Sequence, residues 1–313
     1  MIGAPVAANT LTGANAAKGL TPAVLPLFRE LGDLKRIHSA ATPGSIAERL
    51  FVAAWAALVR GDAAGSVMAR TVAAALVSAR LGDIDAAALA LLGISDEASA
   101  ILGRAFDEIA PELPAALSAQ LREALIGGRP EAGPVPAFVG KLSRQPRAGV
   151  TCPGRPRILL QPPENHAEHC LMVAVYGVLA SGWHDADPTA VFVAGLAHHL
   201  HNADMPDSGY SGEMLLGGAL NAAIANARAS ALGELDDRLR PIVEAAIEPI
   251  GGDRTPEARA FHVADVLDRV LEIEQFTRAA RLTMDVVLDD YGLVHDGPVK
   301  AFHDRILADA GLA

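Results

Sequence analysis

Six of the ten histidines lie between His166 and His201, on apolar segments with helical patterning. In Glu164-Asn-His-Ala-Glu-His-Cys-Leu-Met-Val-Ala-Val-Tyr, His166 and His169 are three apart and so share one helical face. Ala194-Gly-Leu-Ala-His-His-Leu-His-Asn-Ala-Asp ends an apolar helix with adjacent His198 and His199, followed by His201 and Asn202. Far downstream, Phe261-His-Val-Ala-Asp-Val-Leu-Asp puts His262, Asp265 and Asp268 on one stripe. Imidazole nitrogens and carboxylate oxygens on several facing helices are how an all-helical protein holds a divalent ion. A single buried histidine is usually a satisfied core residue, but His169, His198, His199 and Asp265 together would each need a burial partner, and one cation can satisfy all four.

The order His, paired His, then Asp resembles the HD-domain superfamily, whose ligands run H…HD…D. The likeness lies in Ala167-Glu-His169 with Val173-Ala174 after it, in Ala194-Gly-Leu-Ala-His198-His199, and in Ala264-Asp265-Val-Leu. It spans roughly residues 156 to 290. By that resemblance His169, His198, His199 and Asp265 are the metal ligands, and the activity is metal-dependent hydrolysis of a small phosphate ester, a nucleotide among the candidates. His199 stands where the family carries the Asp of its pair. Imidazole brings no negative charge and bridges no second metal as a carboxylate does, so the set suits one Mn, Fe, Co or Zn ion rather than Mg. The monophosphatase branch places a working Glu three residues after the pair and an Asp eight after. Here those places hold Asn202 and Asp207, which makes Asp207 the candidate proton carrier. Asn202, His201 or His166 would orient the phosphate, with His262 a further supporting candidate. The alternatives are a catalytically degenerate HD module for ligand sensing or protein interaction, favoured by the missing acids, and an Fe-dependent HD-type oxygenase. A di-iron oxygenase needs further histidines before the final Asp, and none lies between Asn202 and Phe261.

The elements that must position these groups read as helices nearly throughout: about 22–31, 45–60, 64–81, 84–92, 96–109, 113–126, 135–143, 165–181, 187–202, 211–231, 233–248, 255–288 and 297–310. Strand-like alternation is nearly absent, so the fold class is all-α, an HD-like helical bundle. The Pro- and Gly-rich stretch from Gly127 to Pro156 reads as a break around a short helix. The chain accordingly divides into a disordered tail (1–20), a first helical domain (21–145), a linker (146–156) and a metal-binding domain (157–313). The halves look like tandem copies: Ile46-Ala-Glu-Arg-Leu-Phe-Val-Ala aligns at an offset of 120 with His166-Ala-Glu-His-Cys-Leu-Met-Val. In that alignment Arg49 replaces His169, Ser78-Ala79 the histidine pair, and Lys141 roughly Asp265. The first copy would then be degenerate, with Arg49 and Lys141 converging on one pocket.

Composition bounds the rest. Apolar residues make up 51% and aromatics 4% of 313 residues, as in an alanine-rich helical protein packed through small side chains. The net charge of −11, with no basic run, provides no face to displace counterions from nucleic acid. Small phosphate esters stay compatible with it, because a metal supplies positive charge locally. Mean hydropathy is +0.26, yet stretches such as Cys170 to Trp183 are too short for a membrane span. Cys152 and Cys170 make no disulfide framework, and Met1-Ile-Gly-Ala-Pro lacks a basic signal region, so a cytoplasmic protein is expected. Self-association as a homo-oligomer is left open.

Overall fold

The computed structural model describes residues 20–280 and 283–312; the tail expected to be disordered lies, but for Leu20, outside them. The described chain is all-α. The first half runs α1 (Leu25–Gly32), α2 (Ile46–Arg60), α3 (Ala64–Leu81), α4 (Ala86–Leu91), α5 (Ala98–Ile109), α6 (Ala115–Ala124) and α7 (Ala137–Arg144). The second runs α8 (His166–His184), α9 (Pro188–Ala197), α10 (Gly209–Leu216), α11 (Leu220–Leu232), α12 (Arg240–Ile247), α13 (Pro256–Ala280) and α14 (Lys300–Asp309).

Helix α8 is the axis of the fold, buried on all sides over most of its length, with α2, α9 and α13 against it. A helix apolar all round belongs in a core. Its start is closed by a capping box in which the Asn165 side chain accepts from Glu168 N and Glu168 accepts from Asn165 N. Ser45 caps α2 by accepting from Glu48 N, and its hydroxyl donates to Glu168 Oε1 at 2.6 Å, tying the start of α2 to that of α8. Tyr176 on α8 donates to Phe28 O of α1 at 2.6 Å, and their rings sit 4.7 Å apart. One apolar core runs through both halves; within it fully buried Trp55 packs edge-on against Phe138 at 4.9 Å.

Expected helices in the second half are shorter or broken, α9 ending at Ala197 before a 3-10 turn over Leu200–Ala203. The 211–231 segment divides at Gly217, whose φ of 51° no ordinary helical residue adopts. Residues 233–239 form a turn in which Asp236 accepts from the backbone N of Arg238 and Leu239, so α12 starts only at Arg240. Helix α13 ends at Ala280, and residues 286–290 wind as a π turn; 281 and 282 lie outside the described residues. The stretch 146–156 is tied to its neighbours by bridges from Pro146 to Asn165 and from Val150 to Ile158, and its residues 146–151 wall a cavity beside His199. Arg49 goes to Asp83 at 2.8 Å and Lys141 to Asp204 at 2.5 Å, so the expected meeting of these two cations in one pocket is not found. No helix among the described residues is long and apolar enough to cross a membrane.

Candidate metal centre

Four side chains from three segments converge where α8, the end of α9 and α13 meet. His169 is fully buried on the first turn of α8. His198 is the C-cap of α9, and His199 begins the 3-10 turn after it. Asp265 lies on α13. His169 Nε2 is 3.1 Å from His198 Nε2 and 3.3 Å from Asp265 Oδ1. One nitrogen from each of His169, His198 and His199 falls within 4.8 Å of the others.

The outer hydrogen bonds settle which nitrogens face inward with lone pairs. His169 Nδ1 donates to Asp268 Oδ2 at 2.7 Å, His198 Nδ1 to Gly195 O at 2.8 Å, and His199 Nδ1 to Asn202 Oδ1 at 2.6 Å. Each ring has its proton directed outward, so its Nε2 is an acceptor. Asp265 Oδ1, buried, has no hydrogen-bond partner among the described residues. Three imidazole acceptors therefore cluster, one of them 3.3 Å from the Asp265 carboxylate, with no donor between them. That is unfavourable in a low-dielectric interior unless a cation joins them, and three imidazoles with one carboxylate are a donor set for a transition-metal ion.

The electrostatics agree with that set. Burial, then the nearby His169, hold His198 well below the ordinary histidine range; burial, then His198 and His166, do the same to His199. Both are neutral at pH 7, as ligands must be. Burial works to raise Asp265, but the Arg269 guanidinium outweighs it and holds the carboxyl well below the usual range, so it stays charged.

The remaining sequence candidates divide. Asn202 is buried; it accepts from His199 and donates to Met205 O at 3.1 Å, so its side chain fixes the His199 ring. Asp207 lines the cavity and accepts from Ala148 N and Gly209 N at 2.9 Å each, with His166 Nε2 at 3.5 Å. Burial opposes its ionisation, but His166 and Arg147 outweigh that and hold it far below the usual range. His166 is fully buried behind His199, ring centres 4.7 Å apart. His201 lines the cavity, and burial lowers it to about 4. His262 is outside the cluster: its Nε2 donates to Gly252 O at 3.1 Å, and its ring packs near Phe261 and His303.

The sequence places Asp268 on the Asp265 stripe without a role, and the structure sets it behind the His169 ring. Lys35, from the turn after α1, had no local signal; it reaches Asp268 Oδ1 at 2.8 Å and Glu164 Oε1 at 2.6 Å. A cavity of about 410 Å3 opens beside His199, lined by Arg147, Arg157, Arg269 and Glu213 with apolar Val150, Leu160, Ile273 and Leu293. Arg147 Nη1 and Arg269 Nε are buried there without partners among the described residues.

At the cavity wall the His295 ring stacks on Tyr210, centroids 3.8 Å apart. Burial, then Arg269, lower His295 to about 4. The unfolded chain takes up this proton near pH 6.5 and the folded one only near 4, so stability is full above 6.5 and falls as pH drops through that window. The loss is about 1 kcal/mol, the side chain being partly solvated and its charge screened. Melting curves between about pH 7 and 4 should show a shallower decline for His295→Phe, which keeps the stack; an unchanged slope would refute this origin.

No family model matches this chain, and no curated protein or solved structure matches it either.

Proposed function

We propose that this protein is an HD-domain-like, metal-dependent phosphohydrolase acting on a small phosphate ester. The observation carrying the proposal is the clustering of three imidazoles, one of them 3.3 Å from the orphaned Asp265 Oδ1, beside a cavity with unpartnered arginine donors. His169, His198, His199 and Asp265 would hold one ion of Mn, Fe, Co or Zn. When bound, such an ion supplies positive charge to phosphoryl oxygens and lowers the pKa of water. Arg147 and Arg269 bind and orient the anion through their free N–H groups. Asp207, locked as a carboxylate, holds the Ala148 and Gly209 backbone amides and leaves proton transfer to solvent or substrate. His201, neutral at pH 7, offers a hydrogen bond at the wall, and the apolar residues there exclude water. Asn202 fixes the His199 ring.

The test is phosphomonoesterase activity on nucleotide and sugar phosphates with Mn, Co or Mg added. Slow turnover is expected with Mn or Co and little with Mg, since imidazoles suit the softer ions. Asp207→Asn should lower turnover and leave the metal in place. Turnover greatest with Mg, or none with a stoichiometric ion, would reject the reading. A second reading, a sensing or interaction module without turnover, is favoured by the full engagement of Asn202 and Asp207, which leaves no free acid at the centre. The His-rich set also suits an Fe-dependent oxygenase, for which ferrous iron and O2 consumption are the check. The first half is proposed as a degenerate copy because α2 packs on α3 and α7 as α8 packs on α9 and α13. A cytoplasmic location and self-association belong to the same proposal.

A further inference from the structure

Lys35 is among the most deeply buried cations in the fold, its side chain 3% exposed. Its ammonium sits 2.6 Å from Glu164 Oε1, 2.8 Å from Asp268 Oδ1 and 3.0 Å from Glu272 Oε2. An ammonium has three N–H donors, and here three carboxylates surround it. Arg36 holds the other oxygen of Glu272 at 2.7 Å. Three carboxylates gathered at such depth need a cation, and Glu164, Asp268 and His169 also place ligand atoms within 4.8 Å of one another, a spacing that could hold a metal. Asp268 joins the two places, giving Oδ1 to Lys35 and Oδ2 to His169 Nδ1.

We propose that the Lys35 ammonium occupies the position of a second divalent ion, so that the N-terminal half limits the centre to one metal and fixes its first ligand. The proposal rests on the metal-centre reading above. An ammonium supplies one positive charge and directed hydrogen bonds, and together with Arg36 it offsets two of the three carboxylate charges. It offers no coordination site, so substrate meets a single ion beside His199 and Asp265. It also repels a second cation by charge and excludes it by volume. Lys35 is thus a positioning residue: it pins Asp268, which pins the His169 ring with Nε2 inward.

The experiment counts metal in full-length chains purified without a histidine tag and equilibrated with excess Mn(II), by elemental analysis and by electron paramagnetic resonance for paired Mn. Wild type should hold one ion per chain. Lys35→Ala, prepared with Mn(II) present, should hold two and show a coupled-Mn signal. Lys35→Ala with Glu164→Gln removes a carboxylate from the vacated position and should return to one. A merely structural lysine would leave the stoichiometry at one throughout, and that result overturns the proposal. So do two ions in wild type, or a Lys35→Ala chain that stays unfolded in excess Mn(II), since a metal able to replace the ammonium would restore the fold. No ion in wild type overturns the metal-centre reading as well, which separates the two failures.

Discussion

His198→Ala is expected to yield a folded chain that no longer carries its ion through purification. His198 supplies one of three clustered imidazole acceptors, and its Nε2 lies 3.1 Å from that of His169. Losing a partner that merely supports a ligand already costs roughly ten- to hundredfold in metal affinity, and losing the ligand itself should cost more. Phosphatase turnover, if metal-dependent, should fall with the metal content. The fold should survive, because His198 is a half-buried cap whose main protein partner besides the cluster is Gly195 O. His262→Ala is the control: its ring is tied to Gly252, away from the cluster, and its metal content should match wild type. Unchanged metal in His198→Ala, measured by elemental analysis, would sink the proposed centre.

Gly195→Ala should be nearly as damaging without touching any ligand. A Cβ at Gly195 would lie 2.5 Å from Ala174 Cα and 2.6 Å from Ala174 N, backbone atoms that cannot move aside alone. The close approach of α9 to α8 therefore depends on a residue without a side chain. Forcing the methyl in should cost about 1 to 3 kcal/mol and push α9 outward. His198 is three residues further along and takes its orientation from Gly195 O, so it should withdraw from His169. The expected result is a lower melting temperature together with weaker metal retention. Gly103→Ala on α5 is the contrast, since its added Cβ would come no nearer than 3.8 Å to Arg122 Nη2 and should be neutral or slightly stabilising. A Gly195→Ala chain with wild-type stability and metal content would show that this contact does not set the ligand geometry.

The helical class, most helix positions and the ligand candidates were legible in the chain alone, because these rest on local quantities. Apolar periodicity marked α2, α3 and α8 within a residue or two at their starts, and the histidine and aspartate spacings put His169, His198 and Asp265 on helices that could face one another. Helix ends in the second half were less legible. The Gly217 break and the Asp236 turn depend on single backbone conformations that an alanine-rich apolar pattern runs straight through. How each candidate is used emerged from packing. Asn202 and Asp207 look alike from spacing, yet one holds the His199 ring and the other holds backbone amides. His262 shares the Asp265 stripe but turns to Gly252. Arg147, in a stretch that reads as a linker, becomes a cavity wall, and Lys35 reaches the acids behind His169 from 134 positions earlier in the chain. Nothing near Lys35 in the chain forecasts three carboxylates, because that environment exists only once α1, α8 and α13 pack together. Burial then decides its charge state and its partners, and burial is a property of the assembled fold.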